Sequence, residues 1–180
     1  MASAPYRTWA AAVKSTLLAV NHSVLFLCVS MYLGTGWSLV LFSFPVVPQL
    51  TVDNYYLQFV PQVTAATQFF TWMTAIMSIA ALIMVLVEWR NSLRWVPIVV
   101  LLAITAATLL TVEVIIPLNN QMAAHITDQA TLIDVLQRWM RLNKIRVGLW
   151  TVQWVAMMSY FARKYLDVSA ARVVSEQGSV

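Results

Sequence analysis

The sequence is poor in the residues that build most catalytic and metal centres. It contains one cysteine, Cys28, and two histidines, His22 and His125. One cysteine excludes an intrachain disulfide and disfavours a thiolate metal site. Two histidines, predicted on opposite sides of a membrane, exclude a bis-histidine haem and a histidine-rich copper or di-iron centre within one chain. Glycine is scarce at four residues, and no phosphate-cradling glycine loop is present. There is no Ser-His-Asp constellation, and no repeated half suggests an inverted-repeat transporter.

Charge is the next shortage. Only 10% of the 180 residues are charged, whereas 61% are hydrophobic, and the mean hydropathy is +0.74. These values fit an integral membrane protein of one domain and leave no room for a separate soluble unit. The net charge of +4 does not indicate a nucleic-acid partner, because the basic residues sit in short flanks between apolar runs. The N-terminal apolar segment is too long for a signal core and lacks a small-residue cleavage pattern, so we expect it to be retained.

What is present organises into an all-α, four-span bundle, with spans near residues 24–44, 63–87, 96–117 and 139–161. The last span is short unless its helix begins near Leu132, and Thr131 followed by Asp134 suggests a capping box there. A cytoplasmic N-terminus places Arg7, Lys14, Arg90, Arg94, Arg163, Lys164 and Arg172 inside, while the 45–62 loop outside has no basic residue. This reading puts the protein in a bacterial cytoplasmic membrane with both termini cytoplasmic. Trp9, Trp89 and Trp95 mark the inner interface.

The segment RWMRLNKIRVGLW, residues 138–150, breaks the charge rule by placing Arg138, Arg141, Lys144 and Arg146 outside. Solvation or lipid phosphates account for the first three. Arg146 instead stands where the continuous apolar run begins. Trp139, Asn143, Arg146, Trp150 and Gln153 follow at steps of four, three, four and three, which lines them along one helix face. Glu113, about one turn before Pro117, is the expected partner of Arg146, either in a structural ion pair or in a site.

Gly34, Gly36 and Trp37 fall at the outer end of the first span, and Pro61 and Gln68 at the start of the second. Polar residues from four helices at one end predict a pocket there, although Gly and Pro also serve close packing and termination. Spacing alone permits a metal at Glu113, His125 and Asp128, with Asn119 conceivable. The alternative is a surface histidine beside a helix-capping aspartate.

The combination of GTGWSLVLFSFPVVPQL, FVPQVTAATQFF, IIPLNNQMA and LQRWMRLNKIR resembles the anthrone oxygenase family, small four-helix membrane proteins. The resemblance runs from about Gly34 to Trp154 and is carried by Pro117 and Asn119, then Trp139, Asn143 and Arg146, with Gly36 and Pro48 as weaker matches. It implies a monooxygenase that oxidises an anthrone to an anthraquinone with dioxygen and no dedicated redox cofactor. Many relatives carry His where this chain has Asn143, and asparagine orients or stabilises an oxyanion but takes no proton at neutral pH.

On that resemblance Arg146 and Asn143 would stabilise the oxyanion and Glu113 would move the proton. Trp139, Trp150, Asn119, Gln68 and Trp37 would contact the substrate. The partners expected are membrane lipid and a hydrophobic small molecule, with a membrane-protein partner or a homo-oligomer as further possibilities. The competing function is a non-enzymatic accessory subunit that binds a lipid, a quinone or a membrane protein. A channel is disfavoured because the inner half offers mainly Ser78, Thr105 and Thr108.

Overall fold

The computed structural model describes residues 4–177, with side chains over 9–170. Every regular element among the described residues is helical. Helix α1 spans Ala4–Ser38, α2 Tyr55–Glu88, α3 Trp95–Leu110, α4 Ile116–Ala123 and α5 Gln129–Gln177. Their composition, rich in Ala, Leu, Met and Val, suits helices in a medium that leaves no water to satisfy the backbone.

Prolines set the interruptions. A π turn at Leu39–Ser43 precedes Pro45, and another at Thr111–Ile115 precedes Pro117. A proline ring collides with the carbonyl four residues back, and a widened turn relieves that collision without ending the helical run. The expected 96–117 span is thus α3, a π turn and α4 in sequence.

Contacts between helices show the register. Asn21 donates to the Ala80 carbonyl at 3.0 Å and Tyr32 to the Phe70 carbonyl at 2.9 Å, so α1 and α2 run antiparallel. Arg146 reaches Thr111 while Trp139 reaches Asn119, which makes α5 antiparallel to the α3–α4 run. A Cβ on Gly36 would lie 2.6 Å from the Trp150 ring and 2.9 Å from Val147 Cγ2. Only glycine lets α1 approach α5 this closely.

Three helical stretches are long and apolar enough to cross a membrane: Trp9–Ser43, Tyr55–Glu88 and Trp95–Ala123. Their outer faces expose large apolar side chains, including Trp72, Leu86 and Leu102, a surface suited to lipid and not to water. The expected count of four is therefore met by three. Helix α5 falls short because its buried face carries Asn143 and Gln153, with Arg146 half-buried between them. The helices also run well past the predicted apolar limits, α1 beginning at Ala4.

Two buried clusters hold the bundle. One, toward the 89–94 loop, centres on Leu25, Val29, Met77, Met84, Val100 and Met157. The other, toward the 45–54 loop, centres on Phe44, Tyr55, Ile115, Met122, Leu132 and Trp139. Tyr55 pins the 124–128 connection over this end, donating to the Met122 carbonyl at 3.0 Å and accepting from Ile126 N–H at 2.6 Å. Asp128, and not Thr131, caps α5: its carboxylate accepts from the Thr131 N–H at 2.7 Å and hydroxyl at 2.6 Å. The expected box fails because α5 starts at Gln129, which puts Thr131 inside the first turn.

Candidate functional site

Helix α5 carries a stripe of polar and aromatic residues past the junction of the two clusters, and a cavity of about 770 Å³ opens there. That volume is within the range of small-molecule sites. Tyr32 and Phe42 line it from the α1 side, Phe70 and Thr74 from α2, Thr108 from α3, and Thr111 from the π turn. Trp139, Arg146, Trp150 and Gln153 complete it from α5.

Arg146 is held from two sides. Its Nη1 donates to Thr111 Oγ1 at 3.3 Å, and its Nη2 donates to Asn143 Oδ1. The guanidinium carbon lies 4.7 Å from the Trp150 ring centroid, a cation–π distance. Nε is buried and has no hydrogen-bond partner. Among the described residues no carboxylate lines the cavity, so this cation has no counter-charge there.

Two helical turns further along α5, Gln153 is 0% exposed, and neither its Oε1 nor its Nε2 has a partner. Leaving one such buried group unpaired costs about 1–3 kcal/mol, so both ends of this amide are available to a ligand. Tyr32 packs its ring 4.8 Å from Trp150, and its hydroxyl is shared between Thr74 and the Phe70 carbonyl.

The structure sorts the residues predicted from sequence. Arg146, Trp139, Trp150 and Asn119 line one cavity. Asn143 is fully buried behind it, donating to the Trp139 carbonyl at 2.8 Å and accepting from Arg146, and so positions the guanidinium. Trp139 Nε1 donates to Asn119 Oδ1 at 2.8 Å, and its ring meets Phe44 and Phe59 edge-on.

Others lie elsewhere. Glu113 is exposed, is absent from the cavity wall and makes no ion pair with Arg146. The cause is phase: Thr111 faces Arg146, and a residue two positions on points to the far side of the helix. Trp37 is 43% exposed and donates to Thr151 at 3.2 Å outside the cavity. Gln68 lines a separate depression of about 140 Å³ with Asn119 and Asn120.

The proposed metal trio is not assembled. His125, at φ 57°, stacks on Tyr56 with ring centroids 3.7 Å apart. Asp128 is committed to capping, and the Thr131 hydroxyl and N–H bonds hold its carboxyl below the usual aspartate value. No group of three metal-ligating side chains occurs among the described residues.

Sequence spacing includes Gln153 in the stripe but gives it no role, and it misses Tyr32, Thr74 and Thr111 entirely. It also misses a second polar cluster toward the 89–94 loop. There the buried Glu88 accepts from Tyr160 at 2.7 Å and Asn91 at 2.6 Å, and pairs with Lys164 at 3.3 Å. His22 packs edge-on to Tyr160, with centroids 5.4 Å apart. The stripe at helical spacing, with Arg146 where the apolar run begins, was the sequence signal for the first cluster; Glu88, at a helix end beside Arg90, gave none.

Comparison with family models, characterised proteins and solved structures found no match for this chain.

Proposed function

We propose that the protein is a four-span membrane protein that binds a flat, oxygen-bearing aromatic molecule in this cavity and oxidises it with dioxygen, as an anthrone oxygenase does. The fourth crossing is α5. From Val147 to Ala162 it carries no charged residue, and it packs along both α1 and α3. The basic flanks place both termini in the cytoplasm and the 45–54 loop outside.

The observation that carries the reading is Arg146: a half-buried guanidinium in an aromatic cavity, positioned by Asn143 and Thr111, with Nε free and no carboxylate opposite. Such a cation is expensive unless an electronegative ligand completes it. An enolate or phenolate oxygen does so, and Trp150 and Trp139 offer faces for its rings.

The chemistry then needs few groups. Stabilising the enolate at Arg146 lowers the cost of releasing the substrate proton. The electron-rich carbon gives its electrons to dioxygen, and the ring CH2 becomes C=O. One oxygen atom stays as the new carbonyl and the other leaves as water, so the balance closes without a separate reductant.

Oxygen uptake by the detergent-purified protein with an anthrone tests this. We expect one dioxygen consumed per anthraquinone formed, and a loss of roughly 100-fold in rate in Arg146→Ala, as when an oxyanion donor is removed. Uptake no faster than without protein would overturn the oxidase step. One feature favours a second reading in that event, a binding or accessory subunit: no carboxylate or histidine lines the cavity to act as base.

A further inference from the structure

The cavity is much longer than a three-ring aromatic. Along α2 its wall runs from Gln58 to Met77, about 28 Å at the helical rise, and along α5 from Trp139 to Gln153, about 21 Å. Polarity is uneven over that length. On this wall the buried side-chain atoms without a hydrogen-bond partner are Arg146 Nε and both ends of the Gln153 amide. Toward the 45–54 loop the wall is mainly apolar, with Phe42, Val47, Leu50, Phe59 and Val63, and Ser43, Gln58 and Gln62 stand among them with solvent or lipid contact. Trp139 and Asn119 at that end spend their facing polar atoms on each other.

In the four-span arrangement Gln153 stands near the middle of the bilayer, and the apolar stretch lies toward the outer face. That order is the reverse of a phospholipid, whose headgroup stays at the interface. A phospholipid in its normal orientation would put its phosphate beside Phe42, Leu50, Gln58 and Gln62, where no lining residue is a cation, and leave Arg146 and Gln153 facing hydrocarbon.

We propose that the ligand is a tailed aromatic: an oxygenated ring seated at Arg146 and Gln153, joined to a long aliphatic chain that lies along α2 toward Leu50. This rests on the ring-binding reading above and adds the tail. The apolar half of the cavity selects chain length, and the polar half selects the ring oxygens.

The test uses the full chain in nanodiscs and quenching of its tryptophan fluorescence by two probes, a naphthoquinone with a long alkyl tail and the same ring bearing only a methyl group. The tailed probe should bind at least about tenfold more tightly after correction for partition into protein-free nanodiscs. Gln58→Trp, or Ser43→Trp should the first misfold, both at the end of the cavity far from Arg146, should erase that difference and leave the methyl probe unchanged. Gln153→Leu should weaken both probes.

Equal affinities that the blocking variants do not alter would overturn the tail and leave the ring site standing. Failure of both probes to bind would overturn the ring site as well. A phospholipid retained in the cavity, found by native mass spectrometry and lost in Arg146→Ala, would overturn the proposed selectivity.

Discussion

Glu88 and Arg146 are both charges drawn into the bundle, and both act through α5, yet their surroundings differ. Around Glu88 the side-chain valences are filled: Tyr160, Asn91 and Lys164 all converge on one carboxylate. Around Arg146 they are not, since Nε is bare and the amide of Gln153 is bare at both ends. The satisfied Glu88 carboxylate fixes α2 against α5, and His22 Nε2 alone among the described residues of its cluster is left without a partner. An unsaturated polar cluster beside a cavity is held in a costly state that a ligand relieves.

Removing the anchor of the saturated cluster should produce the largest stability effect. Glu88→Ala strands the Tyr160 hydroxyl, and we expect a loss of about 2–3 kcal/mol in detergent unfolding, less than for a fully buried pair because Lys164 keeps solvent contact. A matching loss from Gln153→Leu would break the distinction between the clusters.

Gly36→Ala should fall next, at about 1–3 kcal/mol, because its Cβ must displace the Trp150 ring or Val147. Trp150 supports Arg146, so this variant should also lower ligand affinity, which separates it from Glu88→Ala. Gln153→Leu sharpens the contrast from the other side. Its stability should stay within about 0.5 kcal/mol of the parent, since an unpaired amide is replaced by an apolar group of similar size, while ligand affinity drops. Isothermal titration beside thermal unfolding reads both.

The smallest effect belongs to Asp128, outside both clusters. Its carboxyl is held below the ordinary aspartate value by the Thr131 hydroxyl and N–H. The cap therefore contributes fully above that ordinary value and is lost as pH falls through the lowered one. Asp128→Asn should flatten this acid limb in an unfolding series run from neutral to strongly acidic pH, with ligand affinity unchanged.

The two clusters also differ in how far they could be read from the chain. The Arg146 stripe is local: five residues at helical spacing on α5 announce one face, and the structure puts four of them on the cavity wall and Asn143 behind it. The partners of Glu88 are distant, Tyr160 being 72 residues away, and only the parallel register of α2 and α5 unites them. Glu113 shows the converse failure. Its position along the helix axis is close to that of Arg146, as the Thr111 contact shows, but helical phase turned it away. Three of the four expected spans meet the length and apolarity of a crossing, and α5 does not, because the polar residues that build the site lower the apolarity of the helix carrying them.

Five threonines of the cavity wall, Thr67, Thr71, Thr74, Thr108 and Thr111, each donate their hydroxyl hydrogen to the carbonyl four residues back. What they turn toward the interior is lone pairs alone. Those five hydroxyls can accept from a guest's hydroxyl but cannot donate to its carbonyl, which must look to other donors, among the buried ones Arg146 and Gln153. Two guests of the same outline, one a phenol and the other its methyl ether, would therefore meet different hosts.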